Sequence, residues 1–119
     1  MIASLRDKNG RIVIPGFYDD VLTVGRKERD AMALRPFDRE KYMKSIGVDD
    51  LGGEKGYTDL ERTGIRPTLD INGIWGGFTG EGTKTIIPSK AGAKISMRLV
   101  PNQKAEKIAG LIRDYFLSI

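Results

Sequence analysis

The sequence predicts an α+β fold in which helices lie on one face of an antiparallel sheet. Two segments in its second half alternate apolar and polar residues with the period of a β-strand, and the segment that follows them has a helical period. The chain has 119 residues, of which 39% are hydrophobic and 30% charged. This size and composition are typical of one ordinary domain, so we expect a single domain over residues 1–119.

The first 21 residues predict the end of a helix and a short extended segment. Ile2 and Leu5 fall on one helical face, and Gly10 is placed to close the helix in a left-handed conformation. The following RIVIPGFYDDV is interrupted by Pro15 and Gly16, as at a turn. Because the first helix has no initial turn of its own, we expect the chain to be a piece of a larger protein.

Residues 24–64 predict a helical insertion on the surface. A short helix is expected near residues 26–34, a second from the N-cap Asp38 to the stop at Gly47, and one further turn at 58–63. Two short basic helices are also typical of a DNA-binding helix-turn-helix. Here acidic residues alternate with the basic ones, which favours a solvated surface.

Residues 66–119 predict a strand–strand–helix core. Leu69 and Ile71 alternate with polar neighbours in residues 66–75, and residues 91–100 show the same half-buried pattern. A glycine-rich loop joins the two strands. Pro101 should end the second strand and Asn102 should cap a helix. The apolar stripe of that helix is Ile108, Leu111, Ile112, Tyr115 and Phe116.

Two strands are too little sheet to close a core, since isolated hairpins are marginally stable. A strand before residue 1 and another after residue 119 would complete the order βαββαβ of the ferredoxin-like fold. We therefore expect an incomplete ferredoxin-like domain that lacks its first and last strands.

The composition excludes several kinds of active site. The chain contains neither histidine nor cysteine, so it offers only carboxylates to a zinc ion and cannot form a Ser-His-Asp or Cys-His nucleophile. It also has no apolar run of membrane-spanning length. The net charge of +4 leaves a basic nucleic-acid-binding module open as an alternative. A stand-alone protein-interaction domain is the other alternative.

The glycine-rich loop GGFTGEGTKTIIPSK, residues 76–90, resembles a phosphate-binding loop at first sight. Such a loop requires GxxxxGK[ST] followed by a helix, so that backbone amides and the helix dipole meet the phosphate. Here Thr83 separates Gly82 from Lys84, and a strand follows. Both the spacing and the context argue against nucleotide binding.

The stretch IRPTLDINGIWGGFTGEGTKTIIPSKAGAKISMRLVPNQ resembles the lid, or dimerisation, domain of the zinc-dependent dipeptidases. That family includes carnosinase, cytosolic non-specific dipeptidase, aminoacylase and succinyl-diaminopimelate desuccinylase. The likeness is greatest to its bacterial dipeptidase branch, and it extends upstream through IPGFYDDV and GYTDLERTGIRPTLD. It rests on the order of the motifs: a glycine-rich hairpin, Lys-Thr-Ile-Ile-Pro, and a strand that ends in Arg-Leu-Val-Pro.

The resemblance implies a role within a larger enzyme. The parent would be a cytoplasmic hydrolase of peptide or amide bonds with two zinc ions in a separate catalytic domain, and this chain would be inactive alone. The lid would cover the peptide substrate and form a homodimer through its sheet edge and helix. Neither nucleic acid nor membrane is an expected partner.

The resemblance also implies four site residues. Arg98 matches the arginine that binds the carboxylate end of the substrate, and Thr85 matches the residue that reaches the partner subunit's active site. Gly80 and Gly82 would let the loop approach the active site or the partner. Simpler interpretations stay open: Arg98 as a solvated strand residue, Thr85 as a common strand residue, and the glycines as parts of a hairpin turn.

Overall fold

The computed structural model describes residues 1–119 and confirms the predicted α+β class. Its elements, in chain order, are a 3-10 helix Ile2–Leu5, α1 Arg26–Ala33, α2 Arg39–Ile46, α3 Asp59–Gly64, β1 Thr68–Gly76, β2 Ala91–Arg98 and α4 Ala105–Ser118. The chain divides into two compact units. The larger unit contains residues 1–67 and 99–119, and the smaller unit is the hairpin of residues 68–98.

The predicted helix over residues 1–10 is wrong beyond Leu5. Arg6 is extended and forms an isolated antiparallel bridge with Ile12. The Asp7 carboxylate accepts hydrogen bonds from the backbone amides of Asn9 and Arg11, at 2.8 and 3.0 Å. These bonds offer the backbone an alternative to the helix. Gly10 is left-handed as predicted, with φ of 75°, but it closes a turn that starts at Asp7.

The core of the larger unit forms around the predicted turn at Pro15 and Gly16. Its buried apolar residues are Leu5, Ile12, Ile14, Phe17 and Ile108. The start of α4 is tied to this turn, because Gln103 Nε2 donates to the Phe17 carbonyl at 2.8 Å. Lys107 Nζ donates to the Asp20 carboxylate at 2.7 Å. Segments far apart in sequence therefore share one apolar centre.

The three predicted helices of residues 24–64 are confirmed, together with their termination signals. The Asp38 side chain accepts from the Lys41 amide, and Gly47 ends α2 with φ of 71°. Thr58 and Glu61 form a reciprocal capping box at the start of α3. Neither α1 nor α2 contains a buried residue, in agreement with the charged sequence of this region.

The hairpin contains an irregularity that the sequence pattern did not reveal. The strands pair Ile71 with Ile95, and then Ile74 with Ala93, with a register shift between Ile71 and Gly73. Side chains alternate along a strand, so an unshifted β1 would place Ile71 and Ile74 on opposite faces. The extra residue of the bulge brings both onto one face.

Trp75 packs within the hairpin. It is paired with Gly92 across the strands, and the space that a Cβ would occupy at Gly92 is filled by the indole ring. The residue is still 54% exposed. Trp75 is therefore a packing residue within the smaller unit, and much of its surface is accessible.

The predicted N-cap at Asn102 is wrong. Helix α4 begins at Ala105, and its N-cap residue Lys104 makes no side-chain capping bond. Asn102 has φ of 77°, a conformation that asparagine tolerates better than most residues, and its Nδ2 donates to the Asp20 carbonyl at 3.0 Å. Asn102 thus lies two residues before the N-cap position, and its side chain is bonded to a distant turn instead of to the helix. The apolar stripe is confirmed, with Ile108 buried and the other four residues half-buried.

Candidate functional site on the hairpin

Arg98 lies at the open end of the hairpin, on its polar face. It is the last residue of β2 and pairs with Thr68, the first residue of β1. Its backbone amide donates to Thr68 Oγ1 at 3.4 Å, and Thr68 Oγ1 in turn donates to Asp70 at 3.1 Å. The side chain is exposed. A guanidinium on an ordered strand is suited to bind a carboxylate with two parallel hydrogen bonds.

The loop of residues 77–90 is exposed and has no regular secondary structure. Phe78 organises part of it. Its ring lies against Gly80, where an added Cβ would be 2.5 Å from the ring, and Lys84 Nζ is 5.5 Å from the ring centroid. Gly82 has φ of 77°. The loop leads into an antiparallel strand instead of a helix, so its context differs from that of a phosphate-binding loop.

The structure places the predicted site residues at opposite ends of β2. Arg98 ends the strand, whereas the loop that carries Thr85 leaves the sheet at Gly76 and returns at Ala91. Seven residue steps at about 3.3 Å each separate Ala91 from Arg98, a distance of about 23 Å. The hairpin brings Arg98 next to Thr68, whereas Thr85, Gly80 and Gly82 belong to the loop that is attached at its other end.

A second group of charged and aromatic side chains, which sequence reasoning missed, lies in the larger unit. Glu61 is only 3% exposed and accepts two hydrogen bonds from the guanidinium of Arg29. Glu54 accepts two from Arg66, at 2.7 and 2.8 Å. The capping pattern Thr-x-x-Glu marks Glu61 in the sequence, but no local signal identifies the arginine partners.

These arginines alternate with two tyrosine rings in a stack that we call the arginine–tyrosine ladder: Arg11, Tyr18, Arg66, Tyr57 and Arg29. Arg66 Cζ lies 4.7 Å from the centroid of the Tyr18 ring and 4.4 Å from that of Tyr57. Arg11 covers the first ring at 4.4 Å and Arg29 the second at 5.3 Å. All four distances are within the range of cation–π attraction.

The titratable groups of this cluster with shifted pKa values include Glu61 and Tyr18. The hydrogen bonds from Arg29 lower the pKa of Glu61 to about 2, although burial of the carboxylate acts in the opposite direction. Burial raises the pKa of the Tyr18 phenol above its ordinary value. Near neutral pH Glu61 is therefore ionised and Tyr18 is protonated.

The larger unit contains two clefts beside the ladder. One has a volume of about 220 Å³ and includes Arg11, Tyr18 and Arg66 in its wall. The other has a volume of about 670 Å³ and includes Arg26, Asp30 and Thr58. Arg29 and Tyr57 line both.

The chain does not provide a metal centre. It contains no cluster of three or more residues of the types that bind metal ions. None of its helices has the length and apolar content needed to cross a lipid bilayer. An α+β domain whose paired hairpin exposes large apolar side chains and an arginine is typical of the class of binding or assembly domains.

Comparison with known proteins identifies the family. Residues 1–118 match the family described as the peptidase dimerisation domain. The chain belongs to this family, the dimerisation domain of M20 peptidases, which confirms the predicted resemblance. The comparisons give no support to the nucleic-acid-binding alternative.

Two curated relatives and one solved structure illustrate the match. The chain is 30% identical over 119 residues to the Cys-Gly metallodipeptidase dug1 of Schizosaccharomyces pombe, covering 100% of the chain and 25% of that protein. It is 33% identical over 108 residues to the human Beta-Ala-His dipeptidase, covering 91% of the chain and 21% of that protein. The M20 family metallo-carboxypeptidase Sso-CP2 of Sulfolobus solfataricus is 36% identical with a TM-score of 0.82, covering 98% of this chain and 31% of that one. The chain thus spans about a quarter of the length of these curated relatives.

Proposed function

We propose that this chain is the dimerisation and substrate-covering lid of a metallopeptidase that hydrolyses dipeptides or similar substrates. The observation that carries the proposal is the family match over residues 1–118. The relatives are named as metallodipeptidases, a dipeptidase and a metallo-carboxypeptidase. Dipeptides and carboxypeptidase substrates share a free terminal carboxylate, which is the chemical group that Arg98 is suited to bind.

The metal ions of such an enzyme would be held outside this chain. Its residues do not fit a metal site, because histidine and cysteine are absent and no carboxylate cluster replaces them. We infer two zinc ions in the catalytic domain of the parent, which would supply the activated water. This chain would bind and orient the substrate and exclude water. A cytoplasmic location stays a prediction from the sequence.

The hairpin also supports the proposed homodimer. In a two-stranded sheet each strand has one unpaired edge, and such edges recruit further strands. The hairpin exposes large apolar side chains as well: Ile74, Trp75, Phe78, Ile86 and Ile87. Accessible apolar surface of this kind is typical of protein–protein interfaces. We propose that a second copy of the chain covers this surface and pairs with the sheet edge.

The hairpin geometry supports an active site built from two subunits. Two extended residues span about 7 Å, whereas Arg98 lies about 23 Å from the point where the loop leaves the sheet. One dipeptide is too short to bridge the two ends of the hairpin. We propose that Arg98 binds substrate in one active site and that Thr85 acts in the active site of the partner subunit. Gly80 and Gly82 would allow the loop that carries Thr85 to approach the partner closely.

Replacing Arg98 with alanine in the full-length enzyme tests its role. We expect kcat/KM for dipeptides to fall by about tenfold to a hundredfold, because a charge-assisted hydrogen-bonded contact to the substrate is lost. For amidated dipeptides, which lack the carboxylate, kcat/KM should fall much less. Lys94→Ala removes a charge from an exposed position of the same strand and is the matched control. Equal kcat/KM for Arg98→Ala and wild type would remove Arg98 from the site.

Complementation between two impaired variants tests the shared active site. In a heterodimer of Arg98→Ala with Thr85→Val, one site receives both defects and the other receives none, if Thr85 acts across the interface. Heterodimers purified with two different affinity tags should then recover about half of the wild-type activity, since one of two equivalent sites is intact. If both residues acted within their own subunit, every site would carry one defect, and activity would stay low.

A further inference from the structure

The smaller cleft, of about 220 Å³, has an unusual concentration of hydrogen-bond donors. Three guanidinium groups and two phenol rings of the ladder line it, together with Thr23. No aspartate or glutamate is among its lining residues. The carboxylates that neutralise the ladder therefore lie outside the wall, and the cleft presents a cationic surface. All of its lining residues belong to the larger unit.

The charges of the ladder and its partner carboxylates do not balance. The three arginines form close ion pairs with two carboxylates, Glu54 and Glu61, because Glu54 contacts both Arg66 and Arg11. Its contact with Arg66 is 2.7 Å, whereas that with Arg11 is 3.8 Å. These three arginines and two carboxylates together have a net charge of +1, and the loosely paired Arg11 has a side chain that is 54% exposed. Arg11 can therefore bind an additional anion with little loss of existing contacts.

Tyr18 adds a directed donor to this surface. Its hydroxyl oxygen accepts a hydrogen bond from the Ile12 amide at 3.1 Å, which leaves the phenol hydrogen available to a ligand. The pKa of the phenol is raised by burial, so this hydrogen is retained throughout the physiological range. A neutral donor and a guanidinium on the wall of one cleft are a suitable combination for an oxyanion.

We propose that this cleft binds a small oxyanion, either phosphate or a short carboxylate. The excess positive charge, the donor of Tyr18 and the absence of acidic lining residues all favour such a ligand over a neutral or cationic one. The oxyanion is either a free ion in solution or a carboxylate side chain supplied by another part of the parent protein. All of the residues that carry this proposal belong to the larger unit, whereas Arg98 belongs to the hairpin unit.

Titration of the 119-residue chain with sodium phosphate and with sodium acetate tests the proposal. Ionic strength is held constant with NaCl so that general screening does not change. We expect saturable shifts of the Tyr18 and Thr23 backbone amide signals in NMR spectra with at least one of the two anions. Absence of a saturable shift with both anions would overturn the proposal.

Variants distinguish a specific site from general attraction to a basic protein. Arg11→Gln should raise the Kd by about tenfold or more, since it removes a charged hydrogen-bond donor. Arg113→Gln removes the same charge from an exposed position on α4 and should leave the Kd unchanged. Equal weakening by both substitutions would show that the binding is not specific to this cleft. Tyr18→Phe keeps the stacked ring and should weaken binding through loss of the hydroxyl.

The same titration in the full-length protein separates the two sources of the oxyanion. Equal affinity in the 119-residue chain and the full-length protein indicates a free anion as ligand. Binding to the chain but not to the full-length protein indicates that a carboxylate of the parent already occupies the cleft. Either result, combined with weaker binding by the Arg11→Gln variant, supports an oxyanion site.

Discussion

Replacement of Gly10 with alanine is expected to lower the free energy of unfolding by about 2–4 kcal/mol, because strain and overlap both oppose the new side chain. Gly10 has φ of 75°, and a Cβ there would lie 2.5 Å from the Gly53 carbonyl oxygen. The obstacle is backbone, which cannot rotate away as a side chain could. Urea denaturation of the two proteins, followed by circular dichroism, measures the loss.

Gly47→Ala is the matched control for this substitution. Gly47 has φ of 71°, nearly that of Gly10, but no atom would lie within 4 Å of its new Cβ. Only the left-handed conformation then opposes alanine, and we expect a loss of about 1 kcal/mol. The difference between the two substitutions isolates the steric overlap at Gly53. Equal losses would show that this overlap relaxes without cost.

Replacement of Glu61 with alanine is expected to lower the free energy of unfolding by about 2–3 kcal/mol, since charged hydrogen bonds and a helix cap are lost together. The side chain is 4% exposed and accepts from Arg29 and from the Thr58 amide, the latter at 2.7 Å. Arg29 is 41% exposed, so its charge stays partly hydrated after the change. This keeps the loss below that of a fully buried ion pair.

Glu61→Gln separates the two contributions. Glutamine also serves at this position of a capping box, so this variant should keep the cap and lose only the charge-assisted part of the contact with Arg29. We expect it to be more stable than Glu61→Ala and less stable than the wild type in the same urea titration. A glutamine variant as unstable as the alanine variant would contradict the importance of the cap.

The low pKa of Glu61 also predicts a dependence of stability on pH. Its ordinary value of 4.5 is lowered to about 2 in the folded protein. The folded state therefore binds this proton more weakly than the unfolded state. The ionised Glu61 carboxylate stabilises the fold at pH values above its ordinary pKa, and this stabilisation is lost as the pH falls towards 2. Between pH 5 and 3 the wild type should lose more stability than Glu61→Gln. Parallel stability curves for the two proteins would contradict the shift.

The elements that the sequence predicted correctly have local signals. Asp38 and Gly47 bound α2 through contacts with residues three or four positions away, and the box of Thr58 and Glu61 has equally short range. Such contacts depend on neighbouring residues alone. The sequence also predicted the two strands, because the alternation of apolar and polar residues indicates which face of each strand is apolar.

The two wrong predictions share a physical cause. Asn102 satisfies the sequence rule for an N-cap, but its side chain is bonded to the Asp20 carbonyl, 82 positions away. Arg6 continues a plausible helix, but it pairs with Ile12 instead. In each case a tertiary or turn contact competes with the local preference and prevails.

The sequence by itself determined the fold class, the family resemblance and the hairpin that carries Arg98 and Thr85, because these depend on ordered motifs and on periodicity. Only the tertiary structure decided which side chains meet. The arginine–tyrosine ladder joins residues from position 11 to position 66. Its contacts require the turn after Ile14 and the start of α3 to pack together, and no local pattern encodes that approach. The cationic cleft beside the ladder is a consequence of that packing.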